Sequence, residues 1–288
     1  MKSSKGWLPT VAKKEPDIKL FEILFSFLKS KSLIQMVLFL IFLSLNYCSF
    51  SQKTDSTKVP FHFGGAVTVT NKGISIIPNL TLGKPAAIFD LSMGKGKLSF
   101  EPQFRFALEG KPWSFLFWGR YELLNTDKFL VKIGAHPAIA FRPTTYLNTN
   151  DSSSHEILRA VRYLAGELAP SYFLTKSISA GMYYLYSRGI EQDINRNTHY
   201  LALRLGFSNI KFSNQISMRF NPQIYYLNID KSDGFYVNAT LTLAMRNFPL
   251  TISSLINQTI QTEIPVGEDF IWNVSLIYSF NKKYVRAQ

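Results

Sequence analysis

The feature that most constrains the fold is a strict alternation of apolar and polar residues close to the C-terminus. Between residues 270 and 280, one set of alternate positions is apolar or aromatic: Trp272, Val274, Leu276, Tyr278 and Phe280. The other set is mostly small and polar, and includes Asn273, Ser275 and Ser279. Because successive side chains of a β-strand point to opposite faces, this spacing predicts a strand with one apolar and one polar face.

The same alternation recurs through the rest of the chain after residue 52, where no segment has the pattern of a transmembrane helix. The predicted strands are Phe61–Thr70, Gly73–Ser92, Lys97–Ala107, Trp113–Leu123, Phe129–Arg142, Glu156–Phe173, Ser177–Arg188, Asn197–Ile210, Asn214–Ile229, Gly234–Asn247, Leu250–Thr262 and Asp269–Phe280. One of them, Gly73–Ser92, is either a single strand with a bulge at Gly83 or two short strands. The total is therefore twelve or thirteen.

Parity and connection length favour twelve strands. Single-chain bacterial barrels have even strand counts, with short turns on the periplasmic side and longer loops outside. Counting back from Phe280, alternate connections are short, and the other set is longer and more polar. The exception is Asn71–Lys72, which this count predicts to be a tight connection on the outer side.

The C-terminal segment resembles the last strand of Gram-negative outer-membrane β-barrel proteins, which usually closes on an aromatic residue that the insertion machinery reads. Asn273, Tyr278 and Phe280 match this assembly signal, although Ser275 stands where the family prefers glycine. The resemblance implies an all-β, antiparallel transmembrane barrel of about twelve strands in the outer membrane. Its partners would be outer-membrane lipid, lipopolysaccharide and the barrel-assembly machinery. The alternative is a soluble sandwich, but the sparse charged face favours a barrel.

The N-terminal region has the layout of a secretory signal. Lys29 and Lys31 precede an apolar run from residue 33 to 45, and Ser49 and Ser51 provide the small-x-small site. We expect cleavage after Ser51, with Gln52 as the mature start; the alternatives are an uncleaved anchor or lipid attachment at Cys48. The predicted organisation is residues 1–51 upstream extension and signal peptide, 52–59 short periplasmic segment, 60–280 barrel, and 281–288 basic tail.

Charge and cysteine content limit the possible ligands. The net charge of +13 would fit nucleic acid, but a secreted protein is not expected to meet it, so lipopolysaccharide phosphates and small anionic solutes are better candidates. The only cysteine, Cys48, lies in the segment expected to be removed, which leaves no disulfide or cysteine metal site. No cofactor or metal is predicted.

The predicted strand register places more basic than acidic residues inside the barrel. The predicted lumen residues are Asp90, Lys97, Glu101, Arg105, Arg120, Glu122, Lys132, His136, Arg142, Glu167, Arg204, Arg219 and Arg246. Basic residues around a pore favour anions. In a narrow barrel, however, the same residues would form a salt-bridged plug. The sequence does not decide between a pore and a plug.

The leading hypothesis is a porin-like or transport-related barrel, with two alternatives. A lipid-directed outer-membrane enzyme would need a nucleophile beside its base. No His-x-Ser motif is present, and Ser152 to His155 lie in a polar loop, so we do not favour an enzyme. The other alternative is a closed structural or receptor barrel that presents the 143–155 loop.

Overall fold

The structure is a computed structural model that describes residues 59–147, 154–265 and 267–284. The predicted signal peptide, the Ser51–Gln52 cleavage site and Cys48 lie outside the described residues and stay predictions. In the described part of the chain, no helix has the length and apolar character needed to cross a membrane.

Twelve antiparallel strands form one closed barrel, as the sequence predicts. Each strand pairs with the next along the chain, and the last pairs with the first, so the sheet has no free edge. The strands are β1 (Phe61–Thr70), β2 (Ala86–Lys95), β3 (Leu98–Ala107), β4 (Pro112–Asn125), β5 (Phe129–Leu147), β6 (Ser154–Phe173), β7 (Ile178–Gly189), β8 (Asn197–Lys211), β9 (Ile216–Ile229), β10 (Ser232–Met245), β11 (Leu250–Thr262) and β12 (Phe270–Tyr284).

The two ends of the barrel differ in their connections. At the turn end, where β1 begins and β12 ends, the strands are joined by residues 96–97, 126–128, 174–177, 212–215 and 246–249. At the loop end, the connections are residues 71–85, 108–111, 148–153, 190–196, 230–231 and 263–269. The predicted difference in connection length between the two ends is therefore present. The tight connection at the loop end is residues 230–231, however, and not the predicted Asn71–Lys72. Residues 71–85 form the longest connection instead.

The prediction of one long strand from Gly73 to Ser92 is wrong. Residues 71–85 form a loop with a 3₁₀ turn at Pro78–Leu80, and β2 starts only at Ala86. The backbone N–H groups of Leu82 and Gly83 donate to the carbonyl of Gly73 and hold the two ends of the loop together. The apolar residues of this segment lie inside the barrel, so their spacing reflects contacts with the lumen rather than strand alternation.

Several strands are longer than predicted, and three of these extensions change the predicted connections or tail. β5 continues to Leu147 and β6 begins at Ser154, which shortens the predicted 143–155 loop to residues 148–153. β12 continues to Tyr284, which pairs with Phe61, so residues 281–284 of the predicted basic tail belong to the strand. The main-chain pairing with β1 explains this extension, because it can continue regardless of side-chain pattern.

The outward face of the barrel is an apolar surface. On β10 and β12 the predicted faces are confirmed: Leu241 and Trp272 are exposed outside, whereas Asn238 and Ser275 are buried inside. Large exposed apolar side chains continue around the barrel, namely Val69, Phe89, Phe100, Ile133, Leu164, Leu168, Met182, Leu203, Leu205, Ile224, Val237, Leu243, Ile252, Ile256, Val274 and Leu276. An apolar surface of this extent on a soluble monomer would be unusual.

The lumen has two halves with different fillings. The loop half contains a packed apolar and aromatic cluster that includes Trp118, Leu185, Tyr200, Tyr225, Leu227 and Tyr236. Loop residues complete it, because Ile77 packs against this cluster and Ile264 belongs to it. The turn half is lined mainly by small or polar residues on the lumen-facing positions, including Gly64, Ser92, Ser99, Gly181, Gly206, Asn221, Thr242 and Ser275. The core therefore occupies the half below the long loops.

Ion pairs tie loop 190–196 to the neighbouring strand at the loop end. Arg162 Nε lies 2.8 Å from Glu191 Oε1, and Arg159 Nη2 donates to Asp193 Oδ1 at 2.7 Å. The Arg162 hydrogen bond lowers the pKa of Glu191, and the Arg159 hydrogen bond lowers the pKa of Asp193 to about 2. Both carboxylates are therefore charged at neutral pH. These pairs also explain why Arg162 can lie on the outward face.

Candidate functional site

A cavity of about 550 Å³ lies in the loop half of the lumen, between residues 75–84 and the wall formed by β3 to β7. Its lining runs from Lys84 and Lys111 at the rim to Arg120 and His136 near the middle of the barrel. This volume is in the range of small-molecule sites. Four of the predicted lumen residues line it: Arg105, Arg120, His136 and Arg142.

Arg105 and Ser114 face this cavity from neighbouring strands. They are paired in the register of β3 and β4, and the Arg105 guanidinium lies over Trp113 at 5.0 Å from the ring centroid. Arg105 Nε and Ser114 Oγ are buried without a hydrogen-bond partner among the described residues. A buried unpaired donor is costly, so these two groups are available for a ligand.

Arg142 completes a basic wall of the cavity from β5. Its Nη2 atom donates to the hydroxyl of Tyr163 at 3.0 Å, while its Nε atom is buried without a partner in the described ranges. Ser114 pairs with Ala140, and Arg142 follows two positions later on the same face. Strand spacings of about 4.8 Å and rises of about 3.4 Å per residue place the Cα atoms of Arg105 and Arg142 about 12 Å apart.

Two of the acidic lumen residues are held by Arg120 at the base of the cavity. Arg120 forms a salt bridge with Glu101, and its Nε atom lies 2.6 Å from Glu167 Oε1. Tyr183 donates a further hydrogen bond to Glu167 at 2.7 Å. The Arg120 guanidinium also stacks on Trp118, 4.3 Å from the ring centroid. This part of the predicted plug is therefore present.

Gly134 makes the Arg120–Glu167 pair possible. It lies on β5 between the two residues, paired with Arg120 on one side and with Glu167 on the other. A Cβ atom at this position would meet Glu167 Oε1 at 2.9 Å and Arg120 Cγ at 3.1 Å. The absent side chain thus lets the ion pair cross the intervening strand.

The other two lumen carboxylates also have partners. Glu122 lies 3.2 Å from Lys132 Nζ and accepts a hydrogen bond from Asn125 at 2.8 Å. Asp90 accepts a hydrogen bond from the amide of Gln103. All four predicted acidic lumen residues are therefore engaged.

The remaining predicted basic residues are not brought together. Arg204 faces the lumen and stacks on Tyr183 at 4.6 Å, and Arg219 is exposed on the lumen-facing register of β9. The placement of Lys97 and Arg246 on the lumen wall is wrong, because both lie in connections at the turn end. The alternating pattern continues past the strand ends and cannot show where the chain turns.

His136 is a packing residue in this structure. Its ring lies 3.9 Å from the ring centroid of Trp118, and Nδ1 is 3.2 Å from the carbonyl oxygen of Pro137. Within the described residues, no group of three or more His, Cys, Asp or Glu side chains is arranged to hold a metal.

A possible hydrolytic pair has poor geometry. Ser92 Oγ and His62 Nε2 are 3.4 Å apart near the turn end, which is longer than the usual contact between a nucleophile and its base. In the described ranges, no side chain makes a hydrogen bond with His62 Nδ1 to orient the ring. The segment from Ser152 to His155 stays untested, because residues 148–153 lie outside the described residues.

The proposed assembly residues lie on β12. Phe280 faces outward, pairs with Gly65 and packs against Phe63 at 5.8 Å between ring centroids. Tyr278 is exposed on the same face, whereas the Asn273 amide donates to the carbonyl of Lys72 at 3.1 Å. Their recognition by the assembly machinery stays a prediction.

The sequence pattern missed the residues that close the cavity. Ile77 and Leu80 come from the segment predicted to be a strand, and the Trp113 indole donates to the carbonyl of Leu80 at 2.8 Å. Trp113 turns inward because a register shift between Arg105 and Phe106 places an extra residue in β4. The pair Pro78 and Pro85 was the available signal, since proline disfavours a regular strand.

Comparisons with known proteins give only distant similarity. No protein-family model matches the sequence, and no curated protein matches it. Solved structures that match include a KdgM porin in complex with disordered oligogalacturonate, at 8% identity and a TM-score of 0.47, covering 76% of this chain and 99% of that one. An outer membrane channel from Pseudomonas putida F1 matches at 11% identity and a TM-score of 0.47, covering 80% and 99%. The NanC porin matches at 12% identity and 0.44, covering 77% and 100%. At these values the matches assign neither a family nor a solute.

Proposed function

We propose that the protein is an integral outer-membrane barrel with a porin-like, transport-related role, and that its lumen favours small anions. The observation that carries this proposal is an imbalance inside the barrel. Every predicted lumen carboxylate has a partner, whereas Arg105, Arg142 and Arg204 have no carboxylate within salt-bridge distance among the described residues. Basic groups that are left uncompensated in a passage select for anions.

The outer surface supports a location in a membrane. A closed barrel leaves no unpaired strand edge, and its apolar outward side chains suit contact with lipid tails. With the start of β1 and the end of β12 at the turn end, that end faces the periplasm and the long loops face outward. The predicted signal peptide and the aromatic end of β12 support the outer membrane of a Gram-negative bacterium, with lipid and lipopolysaccharide as surrounding partners.

The two halves of the lumen would play different parts in transport. In the loop half, residues 75–84 and the aromatic cluster narrow the interior, and Lys84 and Lys111 lie at the rim of the cavity. In the turn half, small and polar side chains leave more space. A solute would therefore meet basic residues at the narrowest part of its route, where charge has the largest effect on selection.

A closed receptor or structural barrel is the second candidate. The packed cluster around Tyr200 and Tyr236, whose side chains are almost fully buried, favours it. In that case the arginines would stabilise the barrel or hold a ligand without passing it. A lipid-directed enzyme gains no support from the Ser92–His62 geometry.

Ion selectivity in planar bilayers tests this proposal. The refolded protein under a KCl gradient should give a reversal potential that indicates preference for chloride over potassium. Replacing Arg105, Arg142 and Arg204 together by glutamine should shift the potential toward cation preference, because the uncompensated charge is removed. Arg188→Gln is the matched control, since Arg188 is exposed on the opposite face of β7. A wild-type protein that prefers cations, or never conducts, would contradict the proposal.

A further inference from the structure

The cavity below residues 75–84 combines unpaired basic groups with apolar walls. Arg105 and Arg142 supply two guanidinium groups, and Ser114 supplies a hydroxyl between them. One atom of each of these three side chains is buried without a hydrogen-bond partner in the part of the chain that the structure describes. Three such groups on adjacent strands, facing one cavity, indicate a site for a ligand that supplies a hydrogen-bond acceptor.

The charge and geometry of that acceptor follow from the donors. All three side chains can donate hydrogen bonds, and two carry a positive charge, so an anion with several oxygen acceptors fits best. Arginine pairs with carboxylates through two parallel N–H···O bonds. Two arginines whose Cα atoms are about 12 Å apart across the strands can converge on one carboxylate from opposite sides.

The rest of the cavity fits an apolar body. Its walls near the basic groups include Ile77, Leu80, Ala138, Ala140 and Tyr163. The indole N–H of Trp113 is already used by the carbonyl of Leu80. A free inorganic ion would leave this apolar space unfilled, whereas a fully apolar molecule would leave the arginines without an acceptor.

We propose that this cavity is a binding site for a small amphipathic carboxylate, with the carboxylate held by Arg105, Ser114 and Arg142. The apolar part of the ligand packs against the 3₁₀ turn at Pro78–Leu80 and the β5 wall. This inference rests on the proposed function in assuming access from the loop end, and it names the class of solute that the lumen would select.

Binding of a matched pair of probes tests the site. The refolded protein in nanodiscs of zwitterionic lipid is titrated with 1-naphthoate, with its neutral analogue 1-naphthamide and with acetate, in buffer of low ionic strength. Trp113 and Trp118 line the cavity, so their fluorescence reports occupancy. Naphthoate should bind at least about 10-fold more tightly than naphthamide, which lacks the negative charge, and than acetate, which lacks the apolar body that packs in the cavity.

Two variants locate the binding. Arg105→Gln and Arg142→Gln should each weaken naphthoate binding about 10-fold and leave naphthamide binding nearly unchanged, while Arg188→Gln should leave both unchanged. Equal affinities for naphthoate and naphthamide in the wild-type protein would overturn the proposal, and so would no binding at all. That comparison needs no variant, so it decides the matter even if a substitution impairs assembly.

The binding measurement and the conductance measurement test the site and the proposed function independently. Naphthoate binding without measurable conductance would uphold the site and contradict the porin-like role. Anion-selective conductance without a naphthoate preference would contradict the site and leave the porin-like role standing.

Discussion

The loop half and the turn half of the same barrel show two ways of filling a lumen. In the loop half, inward positions of β7 to β10 carry Leu185, Tyr200, Leu227 and Tyr236, and loop residues pack on them. In the turn half, the same strands carry small or polar residues, such as Gly206 and Thr242. The strands are continuous, so the difference comes from the volume of their inward side chains and from the loop residues that pack on them. A barrel of this size can therefore carry large apolar and aromatic side chains at one end of its lumen and small or polar ones at the other.

The ion pairs of Arg120 lie where the two halves of the lumen meet. Arg120, Glu101 and Glu167 form their network at mid-barrel, below the cavity. The sequence left a choice between a salt-bridged plug and a basic pore. The structure shows the ion pairs that a plug requires and also a cavity with basic walls, because Arg120 braces Glu101 and Glu167 while Arg105 and Arg142 face the cavity above them. The two interpretations thus apply to different residues of one lumen.

The largest effect should come from Phe280, an outward-facing aromatic residue of β12 in the turn half. We expect Phe280→Ala to lose most of its heat-modifiable migration on gels and to leave unassembled protein, because Phe280 matches the predicted assembly signal and packs on β1 at the closing seam. The matched control is Phe270→Ala, an exposed aromatic at the loop end of the same strand, which should assemble normally.

This prediction also separates the signal from the length of the strand. Deleting residues 281–288 keeps Phe280 as the last residue and should allow assembly, although four residues of β12 are lost with the tail. Equal assembly of Phe280→Ala and Phe270→Ala would show that the terminal aromatic has no special role.

A smaller, graded effect should follow an arginine placed at three positions of β10. Leu241→Arg should lower the free energy of unfolding by about 2–4 kcal/mol, because residue 241 lies on the apolar outward face, which the proposed membrane location places against lipid. Asn238→Arg should cost about 1–3 kcal/mol, because residue 238 is buried in the packed loop half. Thr242→Arg should cost less than about 1 kcal/mol, because residue 242 is only half-buried and its inward neighbours, such as Ser253, are small and polar.

Urea unfolding of the refolded variants in lipid vesicles measures this series. Equal costs for Asn238→Arg and Thr242→Arg would remove the distinction between the two halves. A low cost for Leu241→Arg would instead argue against the membrane placement.

How much of this the sequence could predict depends on the range of the interaction. The faces of β10 and β12 were predictable, because alternation is local and each strand has one lipid-facing side. The parity argument also gave the correct number of strands. The inward fold of residues 71–85 was not predictable from alternation, because Ile77 and Leu80 pack against residues far along the chain.

The candidate site was predictable only in part. The register placed Arg105, Arg120 and Arg142 inside, but it could not distinguish the arginine that pairs with carboxylates from the two that face the cavity. That distinction depends on Gly134, which lets Glu167 reach Arg120 across β5. The inward turn of Trp113 likewise depends on a local register shift that no periodicity encodes.

The most direct test of the account is single-channel conductance with and without the inward segment. The variant replaces residues 75–82 by Gly-Ser-Gly. This change keeps Gly73 and Gly83, whose backbone hydrogen bond joins the ends of the loop, and removes the 3₁₀ turn from the lumen. If the loop half is the constriction of an anion-favouring passage, conductance in planar bilayers should rise several-fold while the preference for chloride persists. Unchanged conductance in an assembled variant would contradict the account, because the loop half would then not limit passage through the barrel.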